Sequence, residues 1–325
     1  MKINAVFEGG GVKGISLSGA VQAAENYGFS FHRVAGTSSG AVVAALIAAG
    51  YSAEEMRHLM MEMPFSSFLH SAPIFQVKWI GPAMRMLLKK GLYSGERLEY
   101  WIHQRLLEKG VRSFGDIKPG RLRIIASDIS NGRLLVLPDD IKQYGIDPNR
   151  FLVSRAVRMS TSIPYFFDPV IIRQSFQSAM RKSKPFNKQF SYIVDGGLLS
   201  NFPLWLFDED AAGGGKNCIP TIGFQMVGKS ENQPHRISGL LSMLQAIFGT
   251  MMSAHDQRYI EKHNQYRTIK IPTLGIGTTD FDLTLEQSMA LFNSGLESGT
   301  EFFKSWDFGK YREMFQAFHS VVHKI

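Results

Sequence analysis

The stretch VAGTSSGAVVAALIAAG, residues 34–50, decides how this chain folds. Val34 and Ala35 end a short apolar run that reads as a strand. Gly36-Thr37-Ser38-Ser39-Gly40 is a turn, and residues 41–49 carry small or apolar side chains around the whole circumference of a helix. A helix apolar on every side is a buried one. Strand, tight glycine turn and buried helix are also the layout of a nucleophile elbow, Gly-x-Ser-x-Gly. There the serine is forced into a sharp exposed turn, and the flanking glycines leave room for the neighbouring strand and helix. The N-terminus of the helix that follows directs unpaired N–H groups toward the serine.

The same grammar stands just upstream. Residues 3–8 read as a buried strand, Gly9-Gly10-Gly11-Val12-Lys13-Gly14 as a glycine loop, and residues 12–26 as a helix with small residues on one side. Two successive strand–glycine turn–helix units predict an α/β fold with a mostly parallel sheet covered by helices on both faces, a three-layer α/β/α arrangement. Gly9, Gly11 and Gly14 also spell GxGxxG, which raises a dinucleotide site as an alternative. That site needs an acid at the end of the second strand, but the strand ends in Val34-Ala35. Glu25 lies within the intervening helix, and no Gly-Lys-Ser/Thr follows the loop. A dinucleotide-dependent oxidoreductase is therefore the weakest reading. The loop has another use: Gly10 and Gly11, with Gly14 as a further candidate, can turn N–H groups toward an oxyanion formed at Ser38. Removing one such donor typically raises the barrier by about 3–4 kcal/mol.

A nucleophilic serine needs a base. The chain has nine histidines, most of them in helix-like stretches. An α/β-hydrolase would have several strands before its elbow, whereas Ser38 has two. The other candidate is Asp195-Gly196-Gly197, which follows the apolar run SYIV. Strand ends of a parallel sheet open on one side, and this reasoning brings Asp195 to Ser38. The two glycines let the backbone turn away from the site. A carboxylate of ordinary pKa near 3.9 is a weak base, and burial would strengthen it.

These blocks resemble the signatures of patatin-like phospholipases: Gly9 to Gly14, Gly36 to Gly40, the serine- and proline-containing SRAVRMSTSIPYFFDP (154–169), and DGGLLSNFP (195–203). The likeness is specific over roughly residues 3–210 and looser beyond, mainly in TTDFDLT (278–284) and the helix after it. It implies a Ser-Asp dyad acyl hydrolase without metal or cofactor, with Ser38 as nucleophile and Asp195 as base. Gly10, Gly11 and Gly14 would form the oxyanion loop, and Lys13 fills the basic place in it. Gly9, Gly36, Gly40, Gly196 and Gly197 would support the turns. A scaffold that binds lipid without catalysis is the alternative within this resemblance.

The rest of the chain bounds the reading. Its 325 residues, 44% hydrophobic and 20% charged, suit a globular protein. No linker or repeat divides them, so residues 1–325 are expected to form one domain. The one cysteine, Cys218, rules out an internal disulfide framework and a cysteine-based zinc site. No signal peptide is visible, and the longest apolar run, residues 41–49, falls well short of the roughly 18 residues of a membrane span. A cytoplasmic location is expected. The net charge of +8 points to an anionic surface. No nucleic-acid motif is present, so acidic lipid is the expected partner. Residues 64–92 mix Phe, Ile, Trp and Met with Lys and Arg, as a membrane-resting surface would; packed core helices are the alternative. Residues 170–192, which hold Arg173, Arg181, Lys182, Lys184 and Lys188, read as a basic loop. Capping boxes at Ser52/Glu55 and Thr284/Gln287 predict helix starts. Further helices are expected over 96–109, 149–160, 237–264 and 309–323. Strands are expected over 121–129 paired with 133–137, over 218–227 and over 267–271.

Overall fold

The structure, a computed structural model, describes residues 1–69, 90–173, 189–208, 219–228 and 264–322, with scattered positions between 237 and 250. The alternating and continuous apolar runs become a sheet. Its strands are β1 (Lys2–Phe7), β2 (Ser30–Thr37), β4 (Leu122–Asp128), β5 (Arg133–Leu137), β7 (Val170–Arg173), β8 (Phe190–Asp195), β9 (Thr221–Val227) and β10 (Thr268–Pro272). Strands β10, β9, β1, β2 and β4 lie side by side in that order and are all parallel. The expected mostly parallel α/β sheet is thus present. A separate parallel pair joins β3 (Gly91–Tyr93) to β6 (Tyr165–Phe167).

The helices follow from their patterns. Helix α1 (Ile15–Asn26) begins only after a 3-10 turn over Gly11–Gly14, three residues later than the sequence suggests. Helix α2 (Ser39–Ala49) is buried along nearly its whole length, as its composition requires. Helix α3 (Ala53–Met61) and the long α7 (Leu285–Ser305) both start in complete capping boxes. Between them in sequence stand a short turn α4 (Phe65–Phe68), α5 (Glu96–Glu108) and α6 (Val153–Ser160); α8 (Phe308–Val322) closes the described chain. The expected helix over 149–160 is shorter because Phe151 and Leu152 are extended, and only residues 153–160 are α-helical.

Ile3, Ala5, Phe7, Val34, Ile124, Ile222 and Phe224 pack with α1, α2 and α6 into the main core. Helix α7 lies along α1 at backbone contact. A Cβ at Gly19 would collide with the Phe292 carbonyl, and one at Gly295 with that of Ser16. The small residues of α1 are there for this helix. Val6, Ala35 and Ile125 face the other way, onto Phe202, Leu204 and Phe207. Among the described residues this second face is covered by that irregular segment. The expected helix over 237–264 and most of the membrane-surface stretch 64–92 lie outside the described residues, as do residues 174–188 of the expected basic loop. The described ends of that loop are not loop: Val170–Arg173 forms β7, antiparallel to β8.

Candidate active site

Ser38 follows the last residue of β2 and precedes the first of α2. Its backbone sits at φ 52°, ψ −123°, in the left-handed region. For a residue with a side chain this conformation carries strain of about 1–3 kcal/mol and persists only where its surroundings enforce it. They do so here. The Ser38 N–H donates to Ser160 Oγ at 2.9 Å, and Ser160 Oγ donates to the Ile125 carbonyl at 2.5 Å. The Ser38 carbonyl accepts the Ala41 N–H at 2.9 Å. Gly36 touches the Gly40 carbonyl, and Gly40 those of Phe7 and Glu8, so closely that neither position has room for a Cβ.

Asp195 reaches Ser38 by a route other than the one the sequence suggested. Its strand β8 runs antiparallel to β4, not parallel. β4 extends beyond β2: Thr37 pairs with Ile125, and Ala126 to Asp128 continue alone on that side. β5 occupies the other edge of β4 from Ile124 to Asp128. β8 therefore fills the edge vacated by β2, running toward it, with Asp195 opposite Ala126. The ends of β2 and β8 meet head to head, and the serine and the aspartate stand at the junction. Gly196 lets the chain turn off there, against the Ile125 carbonyl.

The Asp195 side chain is 1% exposed. Its N–H donates to the Ser162 carbonyl at 2.9 Å, and its Oδ1 accepts the Gly197 N–H at 2.8 Å. Burial pushes its pKa up to about 7, against the opposing pull of the Gly197 N–H and the Ser38 hydroxyl. Among the described residues, Oδ2 has no hydrogen bond of ordinary geometry. The serine hydroxyl is therefore beside the carboxyl without a closed bond to it, and catalytic bonds in a substrate-free enzyme are often loose in this way.

The glycine loop lies against the same point, since a Cβ on Gly9 would come to 3.0 Å from Ser38 Cβ. Asn201, which the sequence reading did not single out, fixes the loop. Its carbonyl accepts the Gly9 N–H at 3.2 Å, and its Nδ2 donates to the Gly9 carbonyl at 3.1 Å. The glycines divide the work differently from the expectation. The Gly10 N–H is taken by Ser39 Oγ at 3.0 Å. Gly14 gives clearance to the Ser39 side chain. Lys13 is half-buried alongside Gly10. Gly11, at φ +59°, and Ser39, at the first position of α2, keep N–H groups without partners among the described residues. Both residues line a cavity with Ser38, whose walls include Val42, Met60, Phe68, Leu98, Phe167 and Phe281. A donor pair beside a serine hydroxyl and a buried carboxyl, opening on an apolar cavity, is an arrangement that can support acyl transfer.

Ser160 and Ser162 lie within the block 154–169, so the sequence marked their segment but not their duties. No described histidine lines the cavity. Among the described residues there is no cluster of three or more metal-ligating side chains, and no helix is long and apolar enough to cross a membrane.

Comparison with known proteins bears on the family and the fold. The family model described as patatin-like phospholipase matches residues 5–208. The uncharacterized protein YqhO of Bacillus subtilis (strain 168) is 40% identical over 95% of this chain and 100% of its own length. The uncharacterized protein R571 of Acanthamoeba polyphaga mimivirus is 24% identical, with 91% of each chain covered. Among solved structures, VipD from Legionella pneumophila shares the fold at a TM-score of 0.52 and 15% identity, over 94% of this chain and 67% of its own.

Proposed function

Because the chain belongs to the patatin-like phospholipase family, we propose that it is a serine acyl hydrolase that cleaves fatty-acyl esters of phospholipids or related lipids. Ser38 Oγ attacks the ester carbonyl while Asp195 takes its proton. The oxyanion is held by the N–H groups of Gly11 and Ser39, at the N-terminus of α2. Collapse of the tetrahedral adduct expels the alcohol, which leaves with the proton held by Asp195, and acyl-Ser38 remains. Asp195 then draws a proton from water, which attacks the acyl carbonyl and releases the fatty acid.

The observation that carries this reading is the head-to-head junction of β2 and β8, which sets a strained serine, itself lining an apolar cavity, beside a fully buried carboxyl. A pKa raised to about 7 by burial suits a base working near neutral pH. The apolar walls suit an acyl chain.

Residues 1–325 are proposed to act as one domain. β9 and β10 lie beyond the family-matched segment yet continue its sheet beside β1, and α7 packs on α1. The net charge of +8 supports a peripheral encounter with anionic membrane from the cytoplasmic side. The test is incubation of the purified protein with a mixed lipid extract, beside Ser38→Ala, with released acids and lyso-lipids identified by mass spectrometry. Release by the wild type alone is expected. Equal release by Ser38→Ala would remove the serine from the mechanism.

A further inference from the structure

The cavity at Ser38 is walled on one side by a segment that the family match does not include. The loop after β10 leaves the sheet at Thr273, whose N–H donates to the Val227 carbonyl at 3.0 Å, and passes over the glycine loop. Thr278 O accepts the Val12 N–H at 3.3 Å and packs on Gly11 so closely that a Cβ there would collide with it. The loop then turns on Asp280, whose Oδ2 accepts the Gly277 N–H at 2.7 Å, and delivers Phe281 into an aromatic cluster. The Phe281 ring stacks on Phe166 at 5.1 Å, meets Phe167 edge-on at 6.2 Å, and meets Phe65 at 6.3 Å. Anchored at both ends and packed on three rings, this segment is a fixed wall.

Phe281 lines two cavities. One is the apolar cavity that contains Ser38 and Gly11. It also lines a second cavity, where Leu69, Ile276 and Leu283 stand beside the polar Thr279, Asp280, Asp282 and Gln287. Phe281 is the one described residue that both linings share, which fits its ring standing as a partition between the two. An acyl chain that enters from Ser38 and runs along Met60 and Phe68 reaches Phe281.

We propose that Phe281 is the specificity-determining residue for acyl-chain length, setting the far limit of the chain that the Ser38 cavity accepts. This inference rests on the acyl-hydrolase reading above. A shorter side chain at 281 joins the two cavities, and each further methylene that becomes buried raises kcat/KM about fourfold. Phe281→Ala should move the preferred chain toward longer acyl groups, with the ratio of long-chain to short-chain rates rising at least about tenfold. Phe281→Trp should move it toward shorter ones.

The experiment uses n-alkyl fluorophosphonates from ethyl to hexadecyl. The rate of covalent labelling is followed by intact-protein mass for wild type, Phe281→Ala, Phe281→Leu and Phe281→Trp, with thermal unfolding as the fold control. The expected result is labelling confined to Ser38, with the optimum chain longer in Ala than in Leu and in Leu than in wild type. An optimum that stays fixed across these variants would overturn the partition while leaving the hydrolase reading intact. Absence of Ser38 labelling in the wild type with every probe would overturn the hydrolase reading and the inference with it. The Leu variant keeps the position apolar, so a misfolded Ala variant does not decide the outcome. A uniform slowing at all chain lengths would mark Phe281 as structural only and counts against the proposal.

Discussion

Asp195→Asn should stabilise the protein while abolishing its activity, by an amount that grows with pH. A carboxyl that folding forces from 3.8 up to about 7 binds its proton more tightly in the folded state than in the unfolded one. Wherever the folded state holds more protons, stability falls as pH rises, the reverse of the behaviour of a salt-bridged carboxylate. This group favours the fold fully below pH 4, and that contribution is lost as pH climbs to 7. Each tenfold gain in proton affinity corresponds to about 1.36 kcal/mol, so the charged carboxylate destabilises the fold by up to about 4 kcal/mol above pH 7. Between pH 5 and pH 8 the change is about 3 kcal/mol. Asparagine has no charge to bury and keeps an oxygen for the Gly197 N–H. Urea unfolding followed by tryptophan fluorescence, for wild type and Asp195→Asn at both pH values, measures the effect. All other titrating groups are common to the two proteins and cancel in the difference. The expected gap is about 3 kcal/mol wider at pH 8 than at pH 5, with similar slopes against urea. A gap of the same size at both pH values would show that the carboxyl is not held in a desolvated site, and the argument for its basicity would fail.

Other perturbations separate the parts of the site. Ser160→Ala strands the Ser38 N–H and the Ile125 carbonyl together. It should destabilise the protein by about 1–3 kcal/mol per orphaned group, read by urea unfolding, and slow ester turnover because the elbow loosens. Gly11→Ala forces a Cβ against the Thr278 carbonyl at a backbone angle of φ +59°. Ester turnover should fall by about a hundredfold or more as the oxyanion donor is displaced, while circular dichroism keeps its α/β form. Gly295→Ala overpacks the contact of α1 with α7, where neither Gly295 nor Ser16 lines the Ser38 cavity. It should lower stability by about 1–3 kcal/mol, or more, and leave kcat/KM of the folded fraction unchanged.

The parts of the fold legible in the sequence are those set by local chemistry. The elbow serine, the two capping boxes, the buried α2 and the small-residue face of α1 each follow from the side chains at hand, and the structure contains them. Strand direction is not local. SYIV reads equally well in either direction, and only the extension of β4 past β2 shows that β8 enters antiparallel. The expected nearness of Asp195 to Ser38 therefore rested on a parallel strand that the sheet does not contain. Ownership of single N–H groups was also hidden. Gly10 looks like a free donor until Ser39 Oγ, a neighbour only in the folded chain, is found on it. β7 was obscured because its four residues adjoin a strongly basic stretch, and charge pattern outweighed the apolar Val170-Ile171-Ile172. Phe281 could not be placed at all, since nothing near it in sequence says that its loop returns over Gly11.

The most direct test of the dyad is the pH dependence of fluorophosphonate labelling in wild type and Asp195→Asn, with the modified residue located by peptide mass spectrometry. One adduct on Ser38 is expected, with a rate that climbs through an apparent pKa near 7 and then levels. In Asp195→Asn that climb should vanish and the rate fall by about a hundredfold or more. An adduct on any other residue, or wild-type labelling by Asp195→Asn across the pH range, would contradict the account.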